Sequence, residues 1–163
     1  MPTLTINGRA SLAQSVKDKQ ATLMLAWGSG ISAWDTDGLP EATDTTTALV
    51  AELGRRRCAV AEFVTPDAEG AIETRDGNYT LSLTPTTYLY LRFNFDYLDE
   101  ATATIREVGL FMDATVVSGT PSGDVYLPVA SIDDPGLLMV YEPLAKITRN
   151  DSVRQSFRFI LPF

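Results

Sequence analysis

Acidic side chains are the first candidates for chemistry in this chain, because it has no histidine and its single cysteine is Cys58. Without an imidazole, a Ser-His-Asp triad, a Cys-His dyad and the histidine-bearing zinc sites cannot be built. Catalysis would have to run on carboxylates, lysine or tyrosine. Asp96, Asp99 and Glu100 lie close together, and Glu107 follows. Two carboxylates held roughly 5 to 9 Å apart in a cleft could perform glycosidic acid–base work. A polar loop between two strands explains 96–100 more simply, and Arg106 beside Glu107 points to a structural salt bridge. Asp35-Thr36-Asp37-Gly38, with Glu41 and Asp44 downstream, has the opening of a calcium loop. The fifth and twelfth positions of that pattern need oxygen ligands, and here they are Leu39 and Thr46. A solvated turn is the better reading, and no metal is expected.

Trp27-Gly28-Ser29-Gly30 forms neither GxGxxG nor a P-loop, so no phosphate cradle is expected. Cys58 reads as a small buried hydrophobe, since free cysteine is among the most buried residue types. The neighbouring arginines could lower its pKa, but it lacks a base. Arg55-Arg56-Arg57 is the one basic cluster. It would either compensate the negative end of a helix or dock onto an acidic partner. Trp27, Trp34, Tyr88 and Tyr90 could stack on carbohydrate, yet aromatic outer faces are equally common at protein–protein interfaces. No acid–base site stands beside them, which favours the interface. The candidate contact residues are therefore Trp27, Trp34, Arg55, Arg56, Arg57, Tyr88 and Tyr90, with no cofactor.

At 163 residues with 45% hydrophobic and 21% charged composition, the chain can bury a core without staples. A net charge of −8 argues against a general nucleic-acid or anionic-membrane binder, although a local basic patch remains compatible with it. No apolar run approaches the ~20 residues of a membrane span. The N-terminus lacks a basic segment followed by an apolar one, so cytoplasmic production is expected.

The elements that must position these residues follow from hydrophobic period. Ala10, Ala13 and Val16 at spacings of three predict a short helix over 7–18, capped by Asn7 or Thr5. Residues 22–27 predict a buried strand and 31–43 a loop. Asp44 as N-cap, Ala48, Leu49 and Glu52 as helix formers, and Gly54 as C-terminal stop predict a second helix over 44–53. From Cys58 onward the period becomes 2. Residues 58–64 form a strand, and 71–74 and 79–83 flank an Asp76-Gly77 hairpin turn. In 88–95, Leu89, Leu91, Phe93 and Phe95 take one face, with Tyr88, Tyr90, Arg92 and Asn94 opposite. Residues 104–112 form another strand, in which Gly109 marks a bulge or a close approach. Segments 137–148 and 153–161 read as a final hairpin around Arg149-Asn150-Asp151. The expected fold is α+β: short N-terminal helices on a mostly antiparallel sheet or sandwich. One domain is expected over 1–163, with a helical N-terminal region over 1–56 and a β-rich region over 57–163.

Particular residues add a family likeness. Ile6-Asn7-Gly8-Arg9-Ala10 leads into the first helix, Trp27-Gly28-Ser29-Gly30 follows, and then comes Thr47-Ala48-Leu49-Val50-Ala51-Glu52-Leu53-Gly54-Arg55-Arg56. Leu91-Arg92-Phe93-Asn94-Phe95 ends in an aromatic pair and precedes Ile105-Arg106-Glu107-Val108-Gly109-Leu110-Phe111. Over about two thirds of its length the chain thus resembles phage tail-collar domains, which attach tail fibres to the baseplate. The resemblance implies no catalysis and no cofactor. It implies a virion protein of the tail or baseplate, assembled in the host cytoplasm as a symmetric homo-oligomer. Its partners would be other baseplate subunits and the tail fibre protein. No repetitive shaft follows the domain, so a compact connector that holds fibres is expected. A carbohydrate- or receptor-binding module at the tail tip is the alternative.

Overall fold

The computed structural model describes residues 1–163. In chain order the elements are α1 (Ile6–Lys17), β1 (Met24–Gly28), α2 (Trp34–Asp37), β2 (Glu52–Arg57), β3 (Val60–Pro66), β4 (Ile72–Thr74), β5 (Gly77–Leu81), β6 (Tyr88–Phe95), β7 (Thr104–Met112), β8 (Thr115–Val116), β9 (Tyr126–Pro128), β10 (Ile132–Asp134), β11 (Leu137–Thr148) and β12 (Gln155–Pro162). Contacts divide the chain into two compact units. The first comprises Met1–Ala21, Cys58–Phe93 and Ser156–Phe163, and the second Thr22–Arg57 and Asn94–Gln155. Residues of 1–56 and of 57–163 contribute to both.

In the first unit a five-stranded sheet has the order β12-β6-β3-β5-β4. Helix α1 begins where the Thr5 hydroxyl accepts the Gly8 N–H at 3.1 Å, the cap expected of a threonine before a helix. It buries Ala13 and Val16, and Lys17 reaches Glu62 of β3 at 2.5 Å. The alternation read in β6 holds on one side, where Leu89, Leu91 and Phe93 are fully buried and Phe93 meets Phe159 edge-on. Its other side is not a solvated face. Tyr90 is 6% exposed and packs with Val64, Tyr79 and Ile160. The expected β4–β5 hairpin forms, but its turn residues are Arg75-Asp76 rather than Asp76-Gly77, and Gly77 pairs with Thr74 as the first residue of β5.

In the second unit the sheet order is β11-β7-β1-β2-β9, with β8 and β10 paired separately. β1 pairs with β2 on one side and β7 on the other, and it is buried along its whole length because both of its faces are covered. Such a strand cannot alternate, and Met24-Leu25-Ala26-Trp27 does not. Gly109 is a close approach rather than a bulge: a Cβ there would lie 2.5 Å from Leu49 Cδ1 and 2.9 Å from Leu138 Cδ1. The irregularities fall in β11 instead, between Leu138 and Val140 and between Pro143 and Ile147.

Three expectations are corrected here. Residues 44–53 are not a helix: 44–51 are turns and open chain, and Glu52 already starts β2. Gly54 does not stop a helix. It sits in β2 opposite Trp27, where any Cβ would collide with the Tyr126 hydroxyl and the Leu127 carbonyl. The final hairpin does not form either, since β11 joins β7 while β12 joins β6 in the other sheet. The fold is accordingly more β-rich than α+β, with α1 as its one long helix beside the four-residue α2.

Candidate functional site

The seven candidate contact residues separate into both units, with Tyr88 and Tyr90 in the first and Trp27, Trp34, Arg55, Arg56 and Arg57 in the second. Trp27 is fully buried. Its ring stacks on Phe95 at 3.6 Å between centroids and 20° between planes, and its Nε1–H donates to the Tyr126 hydroxyl at 3.3 Å. The Arg149 guanidinium lies 5.2 Å over the same ring. Trp27 is thus a core residue of its unit.

Arg55 is 2% exposed. Burying a guanidinium is costly unless every donor is met. Its Nε and Nη2 fork onto Glu52 at 2.6 and 3.0 Å, Nη1 donates to the Pro135 carbonyl at 2.7 Å, and the plane lies 3.7 Å over Phe111. Arg56 pairs with Asp99 at 3.0 Å, and Arg57 donates to the Asp124 carbonyl at 2.9 Å. No helix end is present for the cluster to compensate. The three arginines alternate across a strand, and each is engaged within its own unit.

Trp34 stays half-buried, as does Tyr88, whose ring is 6.2 Å from Tyr79. Trp34 lines an open cavity of about 290 Å³ together with Leu39 and Lys146. Next to it, Asp35 receives Arg106 in a two-pronged ion pair at 2.9 and 2.8 Å, with Lys146 at 3.4 Å. The hydrogen bond from Arg106 chiefly lowers the Asp35 pKa, to about 2. The carboxylate of the calcium-like motif is therefore occupied by cations of the protein itself.

This clasp carries a pH prediction. A carboxyl whose folded pKa lies below its unfolded value contributes stability that is present above the unfolded pKa and lost as pH falls through the folded one. For Asp35 the window runs from about 4 down to about 2. Backbone amide resonances of 34–37 should titrate with a midpoint near the lower value, and Asp35→Asn should abolish the transition. A wild-type midpoint near the ordinary carboxylate value would show that the ion pair contributes nothing.

The carboxylates considered for hydrolysis are likewise engaged. Glu107 has no exposed surface; its two oxygens accept the Val50 and Ala51 N–H groups at 3.0 and 2.8 Å and the Tyr141 hydroxyl at 3.0 Å. It is an anchor for backbone, not the salt bridge expected from Arg106. Gly28 leaves room for it, since a Cβ there would strike Glu107 Oε1. Asp96 takes Arg154 at 2.9 Å, and Asp99 accepts the Asp96 N–H at 2.7 Å. No group of three or more acidic, cysteine or histidine side chains is arranged to hold a metal ion. Cys58 is half-buried, and burial pushes its thiol up to about 11, opposite to an activated nucleophile.

Sequence reading missed Arg149, which is 4% exposed and donates to the carbonyls of Val153 at 2.6 Å and Asp96 at 2.6 Å. It also missed Tyr126, whose hydroxyl donates to Glu100 at 3.1 Å beneath Trp27. An isolated arginine after a strand carries no local signal for such a role. What the second unit displays is a set of buried and half-buried charges paired within the unit, with Arg149 alone keeping a buried Nε without a partner.

No curated protein matches the sequence. A family model described as baseplate wedge 3 tail fiber network component matches residues 1–163. The resemblance to phage baseplate and tail-fibre proteins therefore stands, and the chain belongs to the family of baseplate wedge 3 tail fiber network components.

Proposed function

We propose that this chain is a connector that holds tail fibres on the phage baseplate. A structural role in the baseplate, and a place in the virion tail, come with the family. The connector role is the finer reading, and the match of a family named for both a wedge and a fibre network is the observation that carries it. The chemistry of the chain agrees with it. Glu107, Arg55, Asp99 and Arg149 are all buried and bonded internally, which suits a rigid brick better than a reacting centre.

Apolar side chains remain exposed in each unit: Leu4, Ile6 and Leu12 around α1, and Tyr97, Leu98 and Val153 near the 96–103 loop. A structural protein gains its function from such patches. Its partners on this reading are other baseplate subunits, the tail fibre protein and further copies of itself, with assembly in the host cytoplasm. No helix is long and apolar enough to cross a membrane. The alternative, a carbohydrate- or receptor-binding module, is weakened because Tyr90 is interior to its sheet and only Tyr88 keeps some of its surface.

Binding measurements on the purified chain separate the two. The connector should bind purified baseplate wedge or fibre protein saturably and give no signal on glycan arrays. Saturable glycan binding that Tyr88→Ala removes, with no binding to either protein, would replace it by the receptor-binding reading.

A further inference from the structure

The sheet of the first unit has two edges, β12 and β4, at opposite ends of its strand order. They nevertheless approach one another: Arg158 of β12 donates to the Glu73 carbonyl of β4 at 3.5 Å. The sheet is therefore curled, and the faces of its strands enclose an open groove of about 340 Å³. Val60, Ile72 and Tyr90 form its apolar floor, with Leu81 at 59% exposure on its wall. The facing edges expose backbone groups that no other strand takes, which is a template for one more strand. Adjacent strands stand about 4.8 Å apart. A strand inserted between the two edges would need about twice that spacing, with the Arg158 side chain moved aside.

The charge inside this groove is specific. Arg92 and Arg158 both line it. Arg92 Nε is buried with no hydrogen-bond partner, an expensive arrangement for a guanidinium that Arg9 and Arg149 share, and of the three only Arg92 lines this groove. Glu62, the carboxylate that lines the same groove, is already held by Lys17 at 2.5 Å. A chain of net charge −8 thus keeps one apolar groove with two guanidinium groups and a neutralised acid.

We propose that this groove receives an extended acidic segment of a neighbouring baseplate or fibre protein, which adds as a strand between β12 and β4 and places a carboxylate on Arg92. Main-chain hydrogen bonds to the edges would supply affinity, and alternate side chains would enter the apolar floor. A carboxylate bound by the Arg92 fork would supply register. The identity of the donor rests on the connector reading; the chemistry of the groove does not.

The test uses the full chain and fluorescein-labelled peptides of about nine residues, alternating valine and threonine around a central glutamate or a central lysine. Anisotropy should show saturable binding of the glutamate peptide, weakened by added salt, and at least tenfold weaker binding of the lysine peptide. Arg92→Met keeps the apolar stem and should weaken the glutamate peptide at least tenfold with an unchanged far-ultraviolet spectrum. Leu81→Asp, at an exposed position, gives a second variant that should block entry without unfolding. No binding of the glutamate peptide, or equal binding by Arg92→Met, would overturn the proposal. Peptide binding by a chain whose absence leaves fibres on the virion would sink the connector reading alone. Fibre loss with no peptide binding would sink the groove alone.

Discussion

Replacing Trp27 by alanine is expected to destabilise the second unit by about 4 kcal/mol, the range for truncating a large aromatic in a packed core. The ring has no exposed surface, so the lost burial is complete. Three partners lose their geometry at once: Phe95 its stacked neighbour, the Tyr126 hydroxyl its donor, and Arg149 the face beneath its guanidinium. Urea unfolding followed by circular dichroism should show the midpoint fall with little change in slope. Trp27→Phe keeps the stack and loses the N–H, and should cost about 1 to 2 kcal/mol. A Trp27→Ala chain that folds normally but loses a partner would return this residue to the surface role that its aromatic character first suggested.

Glu107→Ala should be nearly as severe, at about 3 kcal/mol, because it strands donors rather than opening a simple cavity. The Val50 and Ala51 amides and the Tyr141 hydroxyl all end on this one carboxylate. Since 44–51 has neither helix nor strand of its own, the Glu107 hydrogen bonds and the packing of Leu49 on Phe111 tie it to β7. Hydrogen exchange should therefore accelerate at Val50 and Ala51 beyond the change seen across β7. Glu107→Gln retains one acceptor but turns an NH2 group towards a donor, so it should recover less than half of the loss. Unchanged protection at both amides in Glu107→Ala would show that the segment is held by packing of Leu49 alone.

These two residues also mark where sequence reading succeeds and where it stops. The Thr5 cap, the β4–β5 hairpin and strands β6 and β7 were legible because each is encoded within its own segment. The helix expected over 44–53 failed for the opposite reason. Ala48, Leu49 and Glu52 favour a helix locally, but the segment is committed by Glu107, 56 positions from Ala51, and by strand pairing of Gly54 with Trp27. The last turn shows the same limit. Arg149-Asn150-Asp151 has turn composition, yet the Arg149 side chain grips the Asp96 carbonyl, and β11 and β12 leave for different sheets.

The candidate surface was harder still. Alternation assigned Tyr90 outward, but the sheet curls over that face and Tyr90 is enclosed. Charge assigned Arg55 outward, but Glu52 and Phe111 satisfy it inside. Whether an aromatic or an arginine is displayed depends on which distant strand passes over it, and residue type alone does not encode that. Arg92 escaped notice for the complementary reason. It read as one polar residue on an outer face, and its lack of a partner is visible only once the curled sheet places it.

The central claim, that this member of the baseplate wedge and fibre network family fastens fibres to the baseplate, is tested most directly by electron microscopy of purified particles assembled without the chain. Tails with normal tubes and no fibres are the result predicted; particles that carry their full set of fibres would contradict it.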